Sequence, residues 1–220
     1  MSDAAHAHHG HPRLQHQFDT LEQQKESSTF GMWLFLVTEI MFFGGLFCAY
    51  LVYRRASLAG FAEASHELDI ALGTFNTGVL ILSSLTMALG VWAAQLGKRK
   101  VLVGFLVATM ALGSTFLVVK YFEYSHKFHE DHVPGPHFVW EGDHPQAAEQ
   151  FYSIYFAMTG LHALHMIAGI LVLGALLVPS WKGRYGPEYF NPIEVSGLYW
   201  HFVDIVWIFL FPLLYLIGRH

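Results

Sequence analysis

At 220 residues, 54% hydrophobic, only 13% charged and with a formal net charge of −5, the chain is too apolar for an ordinary water-soluble domain. No basic patch with interleaved aromatics is present, which excludes a nucleic-acid footprint, and the lone Cys48 cannot form an intrachain disulfide. These properties leave a membrane protein.

Residues 1–29 form a polar, His-rich tail with no apolar core after its start, so no cleaved secretory signal is expected. Its His6, His8, His9 and His11 could trap transition metals adventitiously, without a role being implied. A crossing needs roughly 20 apolar residues at about 1.5 Å rise each. Five stretches qualify, approximately 30–53, 70–96, 101–123, 151–177 and 195–218. The expected fold is therefore an all-α membrane protein, a bundle of five transmembrane helices forming a single domain over 30–220. The five-residue link "LGKRK" makes the second and third spans antiparallel neighbours, and the polar stretch 124–150 is the longest connection. With the N-terminus cytoplasmic and the C-terminus periplasmic, Arg13, Lys25, Lys98, Arg99, Lys100, Lys182 and Arg184 fall inside, against Arg54, Arg55, Lys127 and Arg219 outside. The positive-inside rule favours that orientation.

The first span, "FGMWLFLVTEIMFFGGLFCAY", places Glu39 roughly 14 Å deep. An ionised carboxylate at that level costs at least about 2.5–3.5 kcal/mol, so Glu39 is expected to be protonated or to face protein. It serves either as a hydrogen-bonded packing contact or in a proton-linked or lipid-contacting role. Phe35, Phe42 and Phe43 share its helix face, and Gly44 and Gly45 would let another helix approach just beyond it. Asn76, Ser83 and Ser84 make a milder polar stripe on the second span. In the third, Lys120 and Glu123 are an i, i+3 pair near the outer end, where a snorkelling surface ion pair is the simple reading.

The fourth span carries "TGLHALHM", with His162 and His165 on one stripe and no evident carboxylate at their level. The last span, "YWHFVDIVWIFLFPLLYL", sets His201 and Asp204 at i, i+3, spaced to hydrogen-bond along one face as a structural pair or a proton relay. By helical rise His201 lies roughly 9–13 Å from the level of the fourth-span histidines, which disfavours bis-histidine haem, and no converging metal-ligand set is readable. Rossmann, Walker, nucleophile-elbow and CxxC patterns are absent, so no covalent chemistry is expected of this chain alone.

Taken together, "YWHFVDIVWIFLFPLLYL" at 199–216, "FAMTGLHALHMIAG" at 156–169, "FGMWLFLVTEIMFFGGLFCAY" at 30–50 and "FNTGVLILSSLTM" at 75–87 resemble subunit III of the haem-copper terminal oxidases, in particular cytochrome c oxidase. "STFLVVKYFEY" at 114–124 resembles the remaining span. The resemblance implies a subunit of an oxidoreductase complex without haem or copper of its own. Both would reside in partner subunits. It would pack against subunit I beside subunit II, with cytochrome c an indirect partner, in a bacterial inner membrane. It also implies bound phospholipid, support of proton uptake and protection of the oxidase during turnover. Glu39 matches the family's carbodiimide-reactive carboxyl, and His162, His165, His201 and Asp204 match family hallmarks. Seven-helix members have two further helices before the glutamate helix, bounding a lipid-filled cleft, so here a neighbouring chain is expected to close it. Within the family the electron donor could instead be quinol, or the complex a nitric oxide reductase. Outside it, a b-type membrane cytochrome and a proton channel are the rivals.

Overall fold

The computed structural model describes residues 14–136 and 138–216. The chain is helical: α1 Leu21–Ala56, α2 Leu58–His66, α3 Ile70–Gln95, α4 Arg99–His129, α5 Pro145–Trp181 and α6 Asn191–Phe211, the last continuing as a π-helical turn, Pro212–Leu216. Five of these are long and apolar enough to cross a membrane, and they coincide with the five apolar stretches. His6, His8, His9 and His11 lie outside the described residues.

Helix ends run past the apolar stretches, for local reasons. Thr20 caps α1 by accepting a 3.1 Å hydrogen bond from the Gln23 amide, carrying the helix back into the polar segment. Asp69 caps α3 through the amides of Ala71 and Leu72, at 2.8 and 3.2 Å. Gly97, in the left-handed region at φ +67°, closes it. The connection expected over 124–150 shortens to 130–144, because α4 and α5 each extend into it. Pro212 has no N–H to continue the α ladder, and the chain re-registers into the π turn. The Leu213 carbonyl is met by the Tyr50 hydroxyl at 2.7 Å.

α3 and α4 are antiparallel neighbours, as the short link requires, with α6 against α3 and α5 and α5 against α4. Trp200 is the central wedge, fully buried, with its indole N–H donated to Ser83 at 2.9 Å. It fits because α4 and α5 offer Gly113 and Gly169: a Cβ would stand 2.8 Å from the ring at Gly113 and 3.0 Å at Gly169. α1 packs on α5 and α6 by one narrow seam, Leu36, Phe43 and Tyr50, spaced by seven. Three polar ties accompany it: Lys25 to Glu194 at 3.3 Å, Glu39 to His165, and Tyr50 to Leu213. Gly44 and Gly45, expected to admit another helix, have no atom within 4 Å of a Cβ position. Gly44 instead lines an open apolar groove of about 530 Å³ between α1 and α6. At the end opposite the N-terminus, α2 covers α5, Phe61 meeting Phe151 edge-on at 5.6 Å, and Glu63 holds the 130–144 loop through Trp140 Nε1 and the Asp143 amide.

Candidate functional site

Glu39 lies on α1 where its side chain, 18% exposed, meets His165 of α5. The carboxyl Oε2 is 3.1 Å from His165 Nε2, while His165 Nδ1 is 2.9 Å from the carbonyl oxygen of Leu161. A carbonyl oxygen can only accept, so Nδ1 carries a proton. The other nitrogen then donates only if the ring is a cation. With a neutral ring, the carboxyl must donate to it. In either form exactly one proton lies between Glu39 and His165 and the pair is neutral overall, which answers how a carboxyl is tolerated at this depth.

The sequence offers no carboxylate at the level of His162 and His165, and that expectation is corrected here for His165. Depth counted from helix ends ignores tilt, and α1 and α5 both begin and end beyond their apolar stretches. Aromatic rings wall the pair. Phe43 lies 5.3 Å and Tyr199 6.4 Å from the imidazole centroid, and the Tyr199 hydroxyl donates to the His165 carbonyl at 2.9 Å. Phe35 reaches Tyr199 at 6.1 Å, whereas Phe42 points away and is 56% exposed.

His162 does not share this environment. It faces the interior, fully buried between Phe116 and Trp207 at 5.3 and 5.2 Å, and neither ring nitrogen has a hydrogen-bond partner among the described residues. His162 thus meets α4 and α6, through Phe116 and Trp207, whereas His165 meets α1 through Glu39 and Phe43 and α6 through Tyr199.

The expected His201–Asp204 hydrogen bond is also corrected. His201 Nδ1 bonds Ser84 Oγ on α3 at 2.7 Å, and the buried Asp204 carboxyl has the same Ser84 side chain, not His201, as its polar neighbour. Ser84, His201 and Asp204 line one pocket of about 260 Å³ between α3 and α6.

The largest departure is Lys120–Glu123. Instead of a surface pair, the two side chains are 4% and 5% exposed and form a 3.1 Å ion pair inside the bundle. Lys120 Nζ also contacts the hydroxyls of Tyr155 and Tyr215 at 3.2 and 2.9 Å. Both tyrosines donate to the same carboxylate oxygen of Glu123. Trp207 lies beside the ammonium at 5.0 Å. This network joins α4, α5 and the π turn. The sequence conceals it because Tyr155 and Tyr215 are remote, and Tyr215 is swung inward only by the turn at Pro212.

Outside the spans, Glu130 gathers Lys127 Nζ at 2.7 Å, His126 at 3.0 Å and His132 at 3.3 Å. Burial pushes the Glu130 carboxyl up, but the Lys127 hydrogen bond and these cations together hold it below the usual range. Burial, then Lys127, depresses His132. Among the described residues no three His, Cys, Asp or Glu side chains converge as metal ligands.

A family model described as cytochrome c oxidase subunit III matches residues 16–219. A cytochrome c oxidase subunit 3 of Synechocystis sp. is 35% identical over 97% of this chain and 80% of that protein. A quinol oxidase subunit 3 of Bacillus subtilis is 30% identical over 97% of both. A cytochrome bo(3) ubiquinol oxidase subunit 3 of Pseudomonas aeruginosa is 29% identical over 92% of this chain and 91% of that protein.

Proposed function

The chain belongs to the cytochrome c oxidase subunit III family, and from that membership we propose that it is the non-redox third subunit of a proton-pumping aerobic oxidase in a bacterial inner membrane. Its partners are subunit I, which holds haem and copper, subunit II, and membrane phospholipid. Cytochrome c is the electron donor to the complex. The reading is carried by one observation: the family match runs through all five spanning helices, in which the carboxyls of Glu39 and Glu123 are held in internal neutral pairs. Such an arrangement suits a supporting subunit, because a pair of this kind tolerates the membrane and holds a proton without needing a redox group.

In this reading Glu39 and His165 hold a proton at the edge of the bundle and support proton uptake by subunit I. The N-terminus is cytoplasmic, in keeping with Lys98, Arg99, Lys100, Lys182 and Arg184 at that end. Phospholipid chains occupy the groove between α1 and α6, which a neighbouring chain closes. A quinol donor is the second reading, favoured by the Bacillus and Pseudomonas relatives, which match over nearly the whole chain.

Purification of the native complex through a tag on this chain, with its subunit list and optical spectrum, tests the proposal. Haem absorbance residing in a separate large subunit is expected, with a copper centre in subunit II if cytochrome c is the donor. Deleting the chain should leave oxygen reduction present but shorter-lived. A Soret band from the isolated polypeptide, or purification without oxidase partners, overturns the proposal.

A further inference from the structure

The turn between α3 and α4 gathers three cations on the wall of a cavity. Lys98, Arg99 and Lys100, consecutive and exposed, line it together with Val101, Val103 and Trp181 at the end of α5. The cavity measures about 710 Å³ and shares no lining residue with the α1–α6 groove. The backbone holds the three cations side by side. Gly97 takes φ +67° and the Lys98 amide donates to the Ala93 carbonyl at 2.9 Å, so the chain reverses within this turn. Gly183, at φ +73°, leaves Arg99 room to lie along the end of α5, since a Cβ there would stand 3.5 Å from Arg99 Cδ.

The charge gathered here is not balanced within the chain. Lys25, Lys120 and Lys127 have carboxylates at 3.3, 3.1 and 2.7 Å. Among the described residues Lys98, Arg99 and Lys100 have none in ion-pair reach, and Lys98 lies instead over the Trp92 ring at 4.9 Å. Three adjacent cations repel one another, and an anion placed among them relieves that repulsion. The level of the cavity in the bilayer narrows the choice of anion. α4 turns apolar at Val101, directly after the cations, and Trp92 and Trp181, 48% and 65% exposed, stand at the same end. Exposed tryptophans where spanning helices leave the hydrocarbon mark the depth of lipid head groups.

We propose that this cavity is an anion site for a phosphate group, held by Arg99 between Lys98 and Lys100 with Trp181 and Val101 as its apolar wall. Arginine presents paired N–H donors that match two phosphate oxygens, and the flanking lysines add point charge. An anionic phospholipid head group and a free phosphate offer the same chemistry, and the tryptophans favour the lipid. The inference rests on the spanning helices and on this turn, not on the oxidase reading.

The test uses the native complex, purified through a tag on this chain and stripped of lipid with detergent. Phosphatidylglycerol, zwitterionic phosphatidylcholine and inorganic phosphate are titrated in separate arms, and bound molecules per complex are counted by native mass spectrometry. The variant carries Lys98→Gln, Arg99→Gln and Lys100→Gln together, all at exposed positions. Arg55→Gln, exposed at the far end of α1, is the charge-matched comparison. Wild type should bind at least one phosphatidylglycerol whose affinity falls by about tenfold or more in the triple variant, as the loss of three cations at a membrane surface implies. Arg55→Gln should change it by less than twofold. Displacement of that molecule by millimolar inorganic phosphate assigns the site to free phosphate, and resistance to displacement assigns it to the lipid. Binding by the triple variant within twofold of wild type overturns the inference, as do equal affinity for phosphatidylcholine or binding of neither anion by wild type. Because the tag is on this chain, the measurement reads the site whichever proteins accompany it, so its failure is separate from a failure of the oxidase reading.

Discussion

Replacing Lys120 with Met removes the ammonium and leaves the Glu123 carboxylate inside the bundle. The two tyrosine hydroxyls still donate to one of its oxygens, but the other, 3.1 Å from Nζ in the native protein, loses its partner, as does the charge. Breaking a buried ion pair from one side costs about 3–5 kcal/mol. For a domain of this size that corresponds to roughly 6–20 °C in unfolding midpoint. A neutral hydrogen bond within a membrane bundle contributes much less, about 0.6 kcal/mol on average. The size of the effect therefore distinguishes a charged pair from an ordinary polar contact. Removing both charges, Lys120→Met with Glu123→Leu, replaces the pair by side chains of similar bulk and should recover most of the loss. Thermal unfolding of the purified complex, followed by size-exclusion fluorescence across wild type, both single variants and the double variant, supplies the full cycle. Single variants costing under about 1 kcal/mol, or a double variant no better than the worse single, would refute the reasoning.

Glu39→Gln should preserve the contact, because an amide N–H donates to the neutral Nε2 of His165, with a stability change under about 1 kcal/mol. In infrared spectra of the native complex at neutral pH, the Glu39–His165 pair should yield one protonated carboxyl or one imidazolium signal, and both together would contradict the one-proton geometry. Gly113→Ala should cost about 1–3 kcal/mol by pressing on Trp200, and less than half as much beside Trp200→Phe, as read by thermal unfolding. The 130–144 loop should loosen on acidification. His132, depressed in the folded state, favours folding fully above its ordinary value of 6.5, and this advantage declines as pH drops through that value. Glu130, also depressed, loses its contribution at still lower pH as the folded carboxyl protonates. Limited proteolysis of this loop at pH 7.5, 6 and 4.5 should show rising cleavage, and His132→Gln should flatten the upper part of that profile.

The five spans were legible because bilayer thickness imposes a length and polarity rule on every crossing. Helix ends were less so, although "DTLEQ" already held the Thr20 cap of α1 and "LGK" the glycine closing α3. Ionisable residues worth watching were evident from their depth, but their partners were not. His165 lies 126 positions from Glu39, and Tyr215 lies 92 from Glu123. Periodicity within one helix cannot show which face of another it meets. The i, i+3 spacing of His201 and Asp204 permitted a bond that Ser84 of a different helix captured instead. For the same reason Lys120 and Glu123, identical in pattern to a solvent-exposed pair, turned out to be enclosed.

The seam holding α1 is apolar and repeats every seven residues, so sliding the helix lengthwise by a heptad would leave similar grease against similar grease. The three ties at Lys25, Glu39 and Tyr50 are spaced by fourteen and eleven residues, which no such shift reproduces. Their chief contribution is thus axial indexing: like pins in a sliding bolt, they set how far α1 projects from the membrane, and with it the level at which its carboxyl is presented to whatever lies alongside.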